Sequence, residues 1–133
     1  MASEFKDHFS KKSVQYSARR PTYPVALAEY LSSLTPARDL VLDCGCGTGQ
    51  LSILLSRYFK NVVATDASEA QIKAATPTPN IIYKTALAEE SGLENHSVDL
   101  ITVAQAAHWF NLAPFYEEVR RVAKKKAVIA LIT

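Results

Sequence analysis

The chain has 133 residues, enough for one domain with a sizeable core, and its 48% hydrophobic and 21% charged content is close to globular averages. That composition excludes a disordered chain and a collagen, and a formal charge of +2 is too small to hold nucleic acid or a membrane surface by bulk electrostatics. No apolar run reaches the ~18 residues of a membrane span, and MASEFKDHFSKK has no apolar stretch fit for a secretion signal.

In chain order, residues 1–24 form a polar segment with scattered Phe5, Phe9 and Tyr16, closed by the helix-breaking Arg19-Arg20-Pro21-Thr22-Tyr23-Pro24. The domain proper is expected over residues 25–133. Pro24 suits the opening of a helix, where its missing N–H costs nothing. Leu27, Ala28, Leu31 and Leu34 then recur at helical spacing, predicting a helix over 25–34 that Pro36 ends. Leu40-Val41-Leu42 reads as a short buried strand. Leu51, Leu54, Leu55, Tyr58 and Phe59 mark one face of a second helix, and Val62-Val63-Ala64 a second strand.

Ser68 and Gln71 have the spacing of a capping box for a third helix, which stops before Pro77. Ile81-Ile82-Tyr83 predicts a third strand and Val98–Val103 a fourth. Leu112, Phe115, Tyr116, Val119, Val122 and Ala123 mark a long helix, with Lys124-Lys125-Lys126 as its solvated, dipole-favoured end. Ala127–Ile132 predicts a fifth strand. Strands that are continuous rather than alternating, with helices between them, indicate a parallel sheet covered on both faces. The fold class is therefore α/β: a doubly wound, mostly parallel sheet of five strands.

The chemistry falls where the first strand meets its helix, at Leu42-Asp43-Cys44-Gly45-Cys46-Gly47-Thr48-Gly49-Gln50. Three of the chain's four glycines sit within five residues, which lets backbone approach a ligand closely, and a helix N-terminus follows. Counted from Gly45, a dinucleotide loop needs a third glycine at position 50, where Gln50 stands. A phosphate loop needs a Lys that is absent. Asp43 would repel a pyrophosphate and suits a ligand carrying a positive amine. Twenty-three residues on, Asp66 follows the second strand, where an acid can accept both hydroxyls of a ribose. Cys44 and Cys46 lie too close for a structural disulfide, which points to a reduced, cytoplasmic setting, and a bare C-x-C is no metal site. No metal is expected.

Asp43-Cys-Gly45-Cys46-Gly47-Thr-Gly49 resembles the signature loop of class I S-adenosylmethionine-dependent methyltransferases. Further stretches are similar to the same family. These are Ala88-Glu89 after the third strand, Ser97-Val98-Asp99-Leu100-Ile101 in the fourth, and Gln105-Ala106-Ala107-His108-Trp109-Phe110 after it. The last of these, with Tyr16…Arg19-Arg20-Pro21-Thr22-Tyr23-Pro24, resembles a subgroup that includes trans-aconitate methyltransferase relatives and "type 11" proteins. The resemblance implies a Rossmann-like methyltransferase core with S-adenosyl-L-methionine as cofactor. It implies cofactor contacts at Asp43, Gly45, Cys46, Gly47, Gly49, Asp66, Ala67, Ala88, Glu89 and Gln105. It also implies a lid over residues 1–24 that includes Tyr16 and Arg20.

His108, near where the methyl group would emerge, is a candidate catalytic base or a structural histidine. Asp99 is read as ordering local backbone. The family's Pro-Gly-Gly turn before the fifth strand is replaced by the three lysines, and its last two strands are absent, so the chain reads as truncated after the fifth strand. The implied function is methyl transfer to a small-molecule acceptor, with no nucleic acid or membrane partner. The alternative is a non-catalytic module that binds S-adenosylmethionine or a partner. The resemblance also implies the strand order third, second, first, fourth, fifth, which leaves the apolar fifth strand at an edge and suggests a homodimer through it.

Overall fold

Parallel pairing of short apolar runs builds the domain, as seen in a computed structural model that describes residues 22–104 and 111–132. The strands are β1 (Leu40–Cys44), β2 (Asn61–Asp66), β3 (Ile81–Thr85), β4 (Val98–Ala104) and β5 (Ala123–Ile132). They form one sheet in the order β3-β2-β1-β4-β5, every pair parallel. The expected doubly wound architecture and strand order are both found. The helices are α1 (Val25–Leu34), α2 (Gln50–Leu55), α3 (Glu69–Ala74) and α4 (Leu112–Val122).

Burial on both faces explains why the central strands carry apolar residues on both sides. Val41, Val62, Ala64 and Leu100 pack with Ala28 and Leu31 of α1 and Leu51 and Leu55 of α2. Leu42, Val63, Ile101 and Val103 pack on the opposite face with Phe115 and Val122 of α4. No described helix is long and apolar enough to cross a membrane.

Several boundaries differ from expectation, each for a local reason. The second helix ends at Leu55, and Phe59 reaches the core through a turn in which its N–H and that of Tyr58 both donate to the Leu55 carbonyl. At α3, Ser68 Oγ accepts from Gln71 N at 3.3 Å, as the capping box requires. The Ser68 N–H, however, donates to Asp66 Oδ1 at 2.9 Å, so Asp66 takes the place expected of the Gln71 side chain. Asp66 itself is the last residue of β2 rather than a residue beyond it.

The larger correction concerns Lys124-Lys125-Lys126, which lie within β5 and not at a helix end. The chain turns extended at Ala123, directly after α4. The last carbonyls of α4 are taken by other backbone donors, His96 N to Arg121 O and Ser97 N to Val122 O, so no lysine is needed there. Lys124 instead pairs with Asp99 Oδ1 at 2.9 Å and reaches Asp39 Oδ2 at 3.3 Å. Between the pairs Val98↔Ala123 and Leu100↔Val128 the register shifts, so the lysines form a bulge. Asp99, 3% exposed, accepts from the N–H groups of Asp39 and Leu40 through Oδ2, the backbone-ordering role expected of it.

Candidate cofactor site

In a doubly wound sheet, ligands bind outside the carboxyl ends of the strands where the order reverses. Here that point lies between β1, which leads through β2 to β3, and β4. The β1 ladder continues past the strand, since Cys46 N donates to Thr65 O at 2.9 Å, and Gly49 N then closes a turn on Cys46 O. The glycines carry different burdens. Gly47 has φ +59, and among the described residues a Cβ there would meet only Gln50 Oε1 at 3.8 Å, so none of them crowds its outer side. Gly49 has φ +92, and a Cβ there would strike the Tyr83 hydroxyl at 2.7 Å. Gly49 is thus required by the Tyr83 ring, and Gly47 leaves backbone accessible to a ligand.

Asp66 ties this loop to the neighbouring strand end. Its Oδ2 accepts from Gly47 N and its Oδ1 from Ser68 N, both at 2.9 Å. The Asp66 carbonyl accepts from Ala86 N at 3.0 Å, which brings the Ala86–Glu90 turn alongside. In that turn Ala88 is buried and Glu89 half-buried, while Ala67 beside Asp66 is exposed. The expected residues Gly45, Cys46, Gly47, Gly49, Asp66, Ala67, Ala88 and Glu89 therefore lie on three consecutive strand ends. Tyr16, Arg20, Gln105 and His108 lie outside the described residues, as does nearly all of the 1–24 segment. Of that segment, Tyr23 packs half-buried against the α1 side of the core. Burial and the nearby Asp43 carboxylate push its hydroxyl up to about 12.

Asp43 lies beneath the loop and is 1% exposed. Ser52 Oγ donates to its Oδ2 at 2.6 Å and Thr102 Oγ1 to its Oδ1 at 2.8 Å. Burial pushes the carboxyl up to about 6. The two hydroxyls pull it down and the Asp66 charge adds to the rise. Among the described residues no Lys or Arg pairs with it. Burial also pushes the thiols of Cys44 and Cys46 well up, so both are neutral and free. No cluster of metal-ligating groups occurs among the described residues.

Sequence reasoning missed Ser52, Thr102 and Tyr83. Each had a faint signal. Ser52 is polar on an otherwise apolar helix face, and Thr102 is the one polar residue of Leu100–Val103. Tyr83 ends the apolar run Ile81-Ile82-Tyr83.

Comparison with known proteins agrees with this geometry. The family described as a methyltransferase domain matches residues 42–131. A candidate methyltransferase of Dictyostelium discoideum is 42% identical over 130 residues, covering 97% of this chain and 49% of the relative. CRG1 of Saccharomyces cerevisiae is named a probable S-adenosylmethionine-dependent methyltransferase. It is 30% identical over 128 residues, covering 90% of this chain and 44% of that protein. The solved structure of a candidate type II methyltransferase from Anaeromyxobacter dehalogenans superposes with a TM-score of 0.81 at 49% identity. It covers 84% of this chain and 48% of that one. The chain spans about half the length of these relatives. With the glycine loop, the acid at the end of β2 and a parallel sheet of the expected order, it belongs to the methyltransferase-domain family, on the Rossmann-like fold of the class I S-adenosylmethionine-dependent enzymes.

Proposed function

We propose that this domain binds S-adenosyl-L-methionine at the 43–49 loop and serves methyl transfer to a small-molecule acceptor. The observation that carries the reading is the convergence of an open Gly47 backbone and the Asp66 carboxylate above a buried, cation-free Asp43. A ligand with a ribose and a positive charge, and without phosphate, satisfies all three. Asp66 accepts the ribose hydroxyls in this reading, which is supported by Gly47 N–H and Ser68 N–H fixing its orientation. Ala88 and Glu89 border the adenine side, with Ala67 beside the ribose. The lid of residues 1–24, with Tyr16 and Arg20, and the segment carrying Gln105 and His108 complete the proposed site.

The cofactor supplies a methyl group on a sulfonium, an already activated leaving group. The residues of the chain therefore need only bind, orient and exclude water for an in-line displacement. Small-molecule rather than nucleic-acid chemistry is supported by the near-neutral charge of +2 and by Gln105-Ala106-Ala107-His108 after β4, where base-modifying relatives carry Asn/Asp-Pro-Pro-Tyr. For the 133-residue chain by itself, the edge position of β5 supports pairing with a second copy.

Titration calorimetry with S-adenosylmethionine and S-adenosylhomocysteine tests the reading. Both are expected to bind, and a nicotinamide dinucleotide is not. Gly47→Val should abolish binding, through strain at φ +59 and a side chain in the open space. A folded Gly47→Val chain, checked by its thermal melt, that binds with unchanged affinity contradicts the assignment. Binding without turnover of any acceptor would favour the non-catalytic module.

A further inference from the structure

We infer that Ser52 and Thr102 are positioning residues for the cofactor: their hydroxyls clamp both oxygens of Asp43 and hold it as a carboxylate under the glycine loop. The inference rests on the cofactor reading above and deepens it.

The geometry suits an ionised acid. Ser52 and Thr102 are both fully buried, and each donates to a different oxygen of Asp43, at 2.6 and 2.8 Å. A carboxylate accepts at both oxygens. A neutral acid donates from one of them, so one hydroxyl would have to turn around. The donors come from two elements that the sequence does not link. Ser52 lies in α2, nine residues beyond Asp43, whereas Thr102 stands directly opposite Asp43 in the β1–β4 register. Without such donors, a buried carboxylate takes up a proton.

No other described group does this work. The titratable groups that sense Asp43 from the surrounding elements are Asp66 of β2, Cys44 of β1, Cys46 of the loop, Tyr83 of β3 and Tyr23 ahead of α1. Asp66 is an acid and favours the neutral form. The two thiols and the two phenols are all pushed up and carry no positive charge. A positive ligand amine near Asp43 would gain attraction only from its ionised form, so the clamp sets the pH range over which the acid is useful.

The test uses the full chain with Ser52→Ala and Thr102→Val combined, and two readouts. The first is the carboxyl-carbon NMR titration of Asp43 without ligand. The second is S-adenosylhomocysteine affinity from pH 5 to 9, taken as a ratio to wild type so that titration of the ligand's own amine cancels. Loss of charge-assisted hydrogen bonds should raise the Asp43 midpoint by about one to two pH units. The affinity ratio should fall roughly two- to tenfold at pH 7, for a midpoint raised by one to two units, and recover towards one by pH 9. Thr102→Ser, which keeps the hydroxyl and adds no volume, should leave the Asp43 midpoint unmoved. If the double variant does not fold, the isosteric Thr102→Val alone carries the same test with a smaller displacement. An unmoved midpoint, or a ratio equally low at every pH, overturns the inference and assigns the hydroxyls to packing. A midpoint that moves in a chain whose wild type takes no S-adenosylhomocysteine at any pH shows instead that the cofactor reading has failed, and the inference falls with it.

Discussion

Asp43 and Asp66 stand within one loop of each other and are handled in opposite ways. Asp66 keeps its carboxylate on the rim, held by two backbone N–H groups. Replacing it with Ala should weaken cofactor binding by about 1.5–3 kcal/mol, the scale of a hydrogen bond to a charged group. Calorimetry with a 2′,3′-dideoxy analogue checks the cause. If the analogue binds wild type as well as the parent does, Asp66 does not hold the ribose. Asp43 is sunk under the loop, where burial disfavours its charged form. Its carboxyl titrates near 6 when folded, against an ordinary 3.8. Between those values the folded chain carries a proton that the unfolded chain has lost. Stability from this group therefore falls as pH rises from about 4 to 6. Asp43→Asn should abolish that slope and stabilise the ligand-free chain at pH 7–8 by about 2–3 kcal/mol, while destroying cofactor binding. Thermal melts across pH 4–8 read the first effect, and an unchanged profile in the variant counts against it.

At the scale of elements, one buried acid of α4 holds the Ser91 end of the β3–β4 connection. Glu118, 8% exposed, accepts from Ser91 N at 2.9 Å and Ser91 Oγ at 2.6 Å, and pairs with Arg121 at 2.8 Å. The Arg121 hydrogen bond, with help from Ser91 and against burial, holds its carboxyl down at about 2. Since the ordinary value is 4.5, the stability this group contributes is present above pH 4.5 and is lost as pH falls from there towards 2. The direction is opposite to that of Asp43, so these two groups together favour a maximum near pH 4–5. Glu118→Ala should cost about 2–3 kcal/mol, because it strands the buried Ser91 donors. Urea unfolding measures this, and a loss below about 0.5 kcal/mol would show that the connection does not depend on the acid.

Among the described residues, β5 lies at an edge of the sheet. It pairs with β4 alone among them, and Ile129 on it is 40% exposed. Its last six residues carry no charge and no proline, whereas natural edges are usually guarded by one or the other. The lysines that could guard it are drawn into the bulge at its start, where Lys124 is committed to Asp99 and Asp39. The 133-residue chain alone is expected to self-associate through β5, and Ile129→Lys to weaken that association. Light scattering over a concentration series checks it. A soluble monomer at high concentration would contradict the expectation.

Period and punctuation in the sequence determined most of the architecture. Runs such as Leu40-Val41-Leu42 and Val62-Val63-Ala64 are apolar at every position, and only burial on both faces makes that useful, so a parallel sheet follows from local composition. The glycine loop and Asp66 were legible for a similar reason, since backbone approach and a strand-end acid are marked by residue type at fixed spacing. Contacts between residues distant in sequence were not legible. Thr102 lies 59 positions from the acid it bonds, and Lys124 lies 85 from Asp39. No local rule distinguishes a threonine that packs in a strand from one that donates to a buried carboxylate. Nor could three lysines after a helix be told from a helix end until the strand register placed Asp99 against them. Register and the pairing of β1 with β4 are decided by the assembled sheet, and so are the Asp43 clamp and the reassignment of the lysines.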